Sequence, residues 1–169
     1  MGIVVSINEN IEPGLLQRDI VPAIGLLLNK AKESYRDKST SENLLKQAFA
    51  TDPSVLDTYV VYYKFYFYHR MLDDAEKWVN LALEISASQG GFDKDWHNLN
   101  ETSAFWDLLD GPERVYLYSL KALSFLRMKQ GDFFTSSEVL DCLKELDPHD
   151  QVGWSVVSQL LSRMYDDEN

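Results

Sequence analysis

The chain has 169 residues, of which 45% are hydrophobic and 25% charged; this fits one globular domain that can bury a core without disulfides or a metal. A formal net charge of −11 argues against nucleic-acid binding, which depends on Lys and Arg neutralising phosphates. A single cysteine, Cys142, excludes an internal disulfide and fits a reducing, cytoplasmic setting.

The N-terminus carries no basic region of a secretory signal. Its Met1-Gly2-Ile3-Val4-Val5-Ser6 run fits the loose N-myristoylation pattern, and the plainer reading is an apolar segment packed on the body. The stretch Ile20 to Leu28 is too short for a membrane span and is broken by Pro22 and Gly25. Ser39 and Glu42 have capping-box spacing, and Ser41, Leu45 and Ala48 share one helix face. Asp52-Pro53 opens the next helix, which contains the run Tyr62-Tyr63-Lys64-Phe65-Tyr66-Phe67-Tyr68. A helix apolar all round is buried, so the aromatics beyond the core positions face either the following insertion or a ligand. Asp73 caps a further helix, with Ala75, Val79 and Ala82 on its inner face. Gly111-Pro112 restarts the chain into a long helix ending near Gln130, and Gly131 stops it. Ser136, Leu140 and Leu143 repeat the face, and Asp147-Pro148 caps a last helix over about 149–165. The run Asp166 to Asn169 is a frayed end.

These faces repeat. Ser41 to Ala75 and Ala48 to Ala82 are both 34 residues apart, the period of a helix-turn-helix repeat. With Gly131, Asp132, Phe133 and the closing Asp147-Pro148, the stretch from Tyr118 to Pro148 resembles a unit of the tetratricopeptide repeat (TPR) family. Trp154 falls where a following unit would carry its first-helix Trp. The resemblance covers about two thirds of the chain and implies an all-α fold. That fold is a right-handed superhelix of antiparallel helix pairs, with units at 22–55, 56–89 and 117–150 and a C-terminal capping helix. The chain departs from the pattern at Gly25, Tyr63, Arg127 and Ser136. Asp52 and Asp147 are 95 residues apart, two periods and about 27 residues more, so an insertion lies near 90–116. Its first half reads as a loop and its second as a short helix capped by Asn100 or Thr102, with Phe105, Trp106, Leu108 and Leu109 apolar. Phe92, Trp96 and Trp106 either anchor this loop or help to build a binding surface.

No catalytic constellation or cofactor motif is present. His69, His97 and His149 are far apart, and Asp93, Asp95 and His97 lack the Gly and distal Glu of a calcium loop. Cys142 sits among apolar residues, where an inert thiol is the default. The resemblance implies that first helices line a concave groove for a peptide or protein. In its frame Leu26, Lys30 and Glu33 line the first unit, and Val60, Lys64, Phe67 and Tyr68 the second. Tyr118, Lys121, Phe125 and Met128 line the third. The lysines, expected to be exposed, would favour an acidic or C-terminal peptide with apolar anchors. The expected function is therefore an adaptor, not an enzyme. The alternatives are a chaperone of a type III-like secretion system, whose chaperones are small acidic TPR proteins, or a self-assembling structural subunit.

Overall fold

Apolar residues recurring every three to four positions dictate helices here, and the computed structural model, which describes residues 20–167, contains seven of them and no strand among those residues. They are α1 (Pro22–Glu33), α2 (Lys38–Thr51), α3 (Leu56–Tyr68), α4 (Leu72–Gly90), α5 (Pro112–Lys129), α6 (Phe133–Leu146) and α7 (Trp154–Asp167). The Gly2 myristoylation pattern and the last two residues of the acidic tail lie outside the described residues.

Each helix packs on the next in chain order. In addition α1, α3, α5 and α7 touch one another in that order, whereas α2, α4 and α6 do not. The odd-numbered helices thus form one continuous row, with the even-numbered ones behind it. All nine positions of the repeating face are buried: Ser41, Leu45 and Ala48 on α2, Ala75, Val79 and Ala82 on α4, and Ser136, Leu140 and Leu143 on α6. The two serines show why a small hydroxyl replaces Ala in this frame. Ser41 Oγ donates to Ala31 O of α1 at 2.8 Å, and Ser136 Oγ donates to Ser124 O of α5 at 2.7 Å. A small side chain lets the paired helices approach, and the hydroxyl finds a carbonyl on the neighbour instead of being buried without a partner.

The caps differ from those expected. Asp37, not Ser39, caps α2 by accepting from Thr40 N at 3.1 Å. Asp52 takes part in a turn, accepting from Ser54 N and Oγ, and α3 starts only at Leu56. Asp73 lies inside α4, whose Met71 cap makes no side-chain bond. Asp147-Pro148 does not start a helix either. Asp147 ends α6, and its carboxylate gathers the N–H groups of Gln151 and Val152 at 2.9 and 3.0 Å, so α7 begins at Trp154. An Asp-Pro pair suits a tight turn as well as a helix start. Gly111-Pro112 and Gly131 behave as expected: α5 runs from Pro112 to Lys129, and Gly131 follows at φ +81°.

The aromatic excess of α3 is absorbed by helices rather than by the insertion. Tyr62 stacks on Trp78 of α4 with centroids 3.7 Å apart, Tyr35 meets Phe65 at 5.9 Å, and Phe67 meets Phe125 of α5 at 5.6 Å. Tyr63 is fully buried between α3 and the Tyr118–Ser119 stretch of α5. The insertion is a loop only over 91–111, with one 3-10 turn at Trp96–Asn98 and no helix over 101–110, because Gly90 still belongs to α4 and α5 already starts at Pro112.

Candidate partner-binding face

Helical geometry decides which side chains the odd-numbered row presents. On α3, Asp57, Val60, Lys64, Phe67 and Tyr68 lie on one face, because three- and four-residue steps return to the same side. On α5 the matching face carries Arg114, Tyr118, Lys121, Phe125 and Met128.

On α1 the three residues of the frame are exposed to solvent. Leu26 is 55% exposed, and Lys30 and Glu33 are exposed beside it. Ile24, Leu28 and Ala31, which form the buried side, lie about half a turn away. Leu26, Lys30 and Glu33 therefore lie on the exposed side of α1. The lysine that α1 brings towards α3 is Lys32, half-buried and within electrostatic range of Asp57 and Lys64. A two-residue shift moves a side chain about 200° around a helix, so a small error of frame reverses its direction.

Lys64 is half-buried. Burial, and next the nearby Lys32 and Lys121 ammonium groups, lower its pKa to about 7, against a smaller opposing effect of Asp57. Three lysines thus meet along the odd-numbered helices of a chain with net charge −11.

Lys121 is not exposed as expected; it is 2% exposed. Its Nζ donates to Val152 O at 2.9 Å, and burial lowers its pKa to about 8, with Asp150 opposing. Arg114 makes a parallel contact about two turns earlier on the same face. Its Nη2 donates to Gln151 O at 2.9 Å, its Nη1 to Gln151 Oε1 at 3.2 Å, and its guanidinium lies 4.9 Å from the Tyr118 ring. Arg114 and Lys121 thus both hold carbonyls of the 147–153 turn, which folds over this helix because α7 docks on α5 and α6. Gly153 in that turn has φ +78°, and a Cβ there would stand 3.2 Å from Lys121 Nζ. Tyr118 and Met128 are buried as well, at 3% and 2%. Charge alone could not signal Arg114 or the buried role of Lys121, since both depend on a turn more than thirty residues away.

What stays accessible is Lys64 with half-buried Phe67 and exposed Tyr68, joined by Lys32, whereas Phe125 is buried like its neighbours on α5. Lys129, whose ammonium lies 5.5 Å from the Phe125 ring, extends the basic character to the end of α5. Tyr68 leans on Tyr35 at 5.7 Å, and His69 Nε2 lies 2.7 Å from Tyr35 O. His69 is therefore a tether between α3 and the α1–α2 turn.

The other chemistry-bearing groups have structural partners. Cys142 Sγ faces Trp96 O at 3.7 Å, and burial pushes its thiol up to about 12. His97 Nδ1 lies 2.6 Å from Asp95 Oδ1, with its ring stacked on Trp96. Among the described residues no three His, Cys, Asp or Glu side chains converge as metal ligands, and no helix is long and apolar enough to cross a membrane. No known protein family, curated protein or solved structure matches this chain.

Proposed function

We propose that the chain is a TPR-like helical repeat whose odd-numbered helices bind a protein or peptide, as an adaptor does. The ligand we infer is an acidic segment with apolar anchors. The observation that carries this reading is the gathering of Lys32 and Lys64 beside Phe67 and Tyr68 on the odd-numbered row of a strongly acidic protein. Aromatic side chains supply contact area at low entropic cost, and lysines select a ligand of opposite charge. The 34-residue recurrence of buried small residues, with the serine bonds from α2 to α1 and from α6 to α5, supports the repeat assignment.

The test is affinity capture from the source extract followed by titration of the captured partner against folded variants. Lys32→Glu/Lys64→Met should weaken binding by at least about tenfold, the loss expected for a central contact. Affinity should also fall as pH rises above about 7, because an anionic ligand needs the charged form of Lys64, which the free protein loses there. Equal binding by the folded double variant would exclude this face. Lys121 does not belong in the test, since its replacement would disturb the 147–153 turn.

A further inference from the structure

The loop between α4 and α5 is anchored on its inner side and apolar on its outer side. Trp106 is 5% exposed, and its Nε1 donates to Asn100 O at 3.0 Å. Its ring meets Phe92 at 5.0 Å and Tyr116 at 6.0 Å. Tyr116 OH donates to Lys94 O at 2.9 Å, and Asn100 Oδ1 accepts from Thr102 N at 2.9 Å. With the anchor filled by Trp106, Phe105 is nevertheless 83% exposed, Leu109 66% and Leu108 44%. A lone exposed apolar residue needs no explanation, but three large ones within five positions form a contact surface.

Charge identifies what covers it. Glu101, Asp107, Asp110 and Glu113 border the ridge, and no Lys or Arg lies between Lys94 and Arg114. The ridge is itself an acidic segment with apolar anchors, the chemistry inferred for the ligand of the odd-numbered row. It cannot reach that row face of its own molecule. It is fastened over Tyr116, and Tyr116 lies about 200° around α5 from Tyr118 on the row face. A second molecule can present that face.

We propose that the ridge formed by Phe105, Leu108 and Leu109 docks on the Lys64, Phe67 and Tyr68 face of a second copy of this chain, so that the protein associates head to tail. This inference rests on the binding face proposed above. Such a contact joins two different surfaces, and it therefore grows into open chains or closes into rings. The ridge is small beside a standard interface of about 1,600 Å², so the association is weak, with micromolar dissociation.

Sedimentation velocity tests it from about 1 µM to about 500 µM, the range in which such contacts dissociate. The ridge variant is Phe105→Ser/Leu109→Ser and the face variant is Tyr68→Ser/Lys129→Glu; all four positions are exposed, and circular dichroism checks folding. Wild type should sediment faster as concentration rises, and each variant should associate at least about tenfold more weakly. An equimolar mixture of the two variants should regain association but stop at a dimer, because it holds one intact ridge and one intact face. A wild type monomeric over the whole range overturns the proposal, as does association that survives in either variant or fails to return in the mixture. A wild type that captures an acidic partner through Lys64 yet stays monomeric overturns head-to-tail docking alone and leaves the face reading standing.

Discussion

Lys64 and Lys121 show how burial changes what a lysine does. Both lie on the row face of their helices, yet one remains reachable and the other is enclosed by the 147–153 turn. The pKa of Lys64 is about 7 in the folded chain against 10.5 for the free side chain. The unfolded state therefore binds the extra proton between these values, so stability rises with pH across this window. Below about 7 the cost of holding the charged ammonium half-buried is present in full; towards 10.5 it is relieved. Lys64→Met removes the titration, so its stability gain over wild type, read from urea midpoints, should shrink as pH rises from 7 towards 10.5. A gain independent of pH would show that Lys64 is solvated. Lys121→Ala should destabilise by about 3 kcal/mol, combining a cavity with an orphaned Val152 carbonyl, while Lys121→Met should cost about 1 kcal/mol because it keeps the packing. A cost below about 0.5 kcal/mol for the Ala variant in urea unfolding would mean that the ammonium contributes nothing there.

At the scale of elements, α7 is attached through its preceding turn as much as through its own apolar side. Val157 and Leu161 are its buried residues, and the turn is organised by Asp147, Asp150, Arg114 and Lys121. Asp150 sits at φ +55°, and its carboxylate accepts from Ser155 N at 3.2 Å and from Ser155 Oγ. Asp147→Ala leaves two backbone N–H groups without an acceptor and should cost about 2 kcal/mol. Hydrogen exchange should show the resulting opening in the turn and α7 first, with α3 to α5 still protected. Uniform loss of protection along the chain would contradict a locally fastened α7. The Asp37 cap of α2 offers a contrast: it is exposed, so Asp37→Ala should cost less than Asp147→Ala in the same urea unfolding.

At the scale of the whole molecule, the fold separates two surfaces of opposite chemistry. The row carries lysine and aromatic side chains, and the far side of α5 carries an acidic apolar ridge. The half-buried Phe49, Phe67 and Trp78 border both hydrophobic clusters, one centred on α1 to α3 and the other on α3 to α7. The two faces are thus held on one packed body rather than on separate units, a geometry in which one copy can bind the next without reaching itself.

The helices, their pairing and the buried frame were legible in the sequence, because helical periodicity and a 34-residue recurrence are local signals that packing then satisfies. Ser41, Ala75 and Ser136 fall where the recurrence puts them, and Gly111-Pro112 and Gly131 bound α5 as their conformational preferences require. The direction of α1 was not legible. Its Gly25 gives no strong apolar mark, and a two-residue shift exchanges Lys30 for Lys32. Nor was the fate of the row face on α5, since Arg114, Lys121, Asp147 and Val152 meet only when α7 folds back. The exposure of Phe105, Leu108 and Leu109 was also decided in three dimensions: Trp106 packed beside Phe92 over Tyr116 and left its neighbours in water. The sequence by itself determined the paired helices and which of their faces must be buried; only the tertiary structure decided that 101–110 is a loop and which charges stay in reach of a partner, because desolvation depends on what packs above a residue and not on the residue itself.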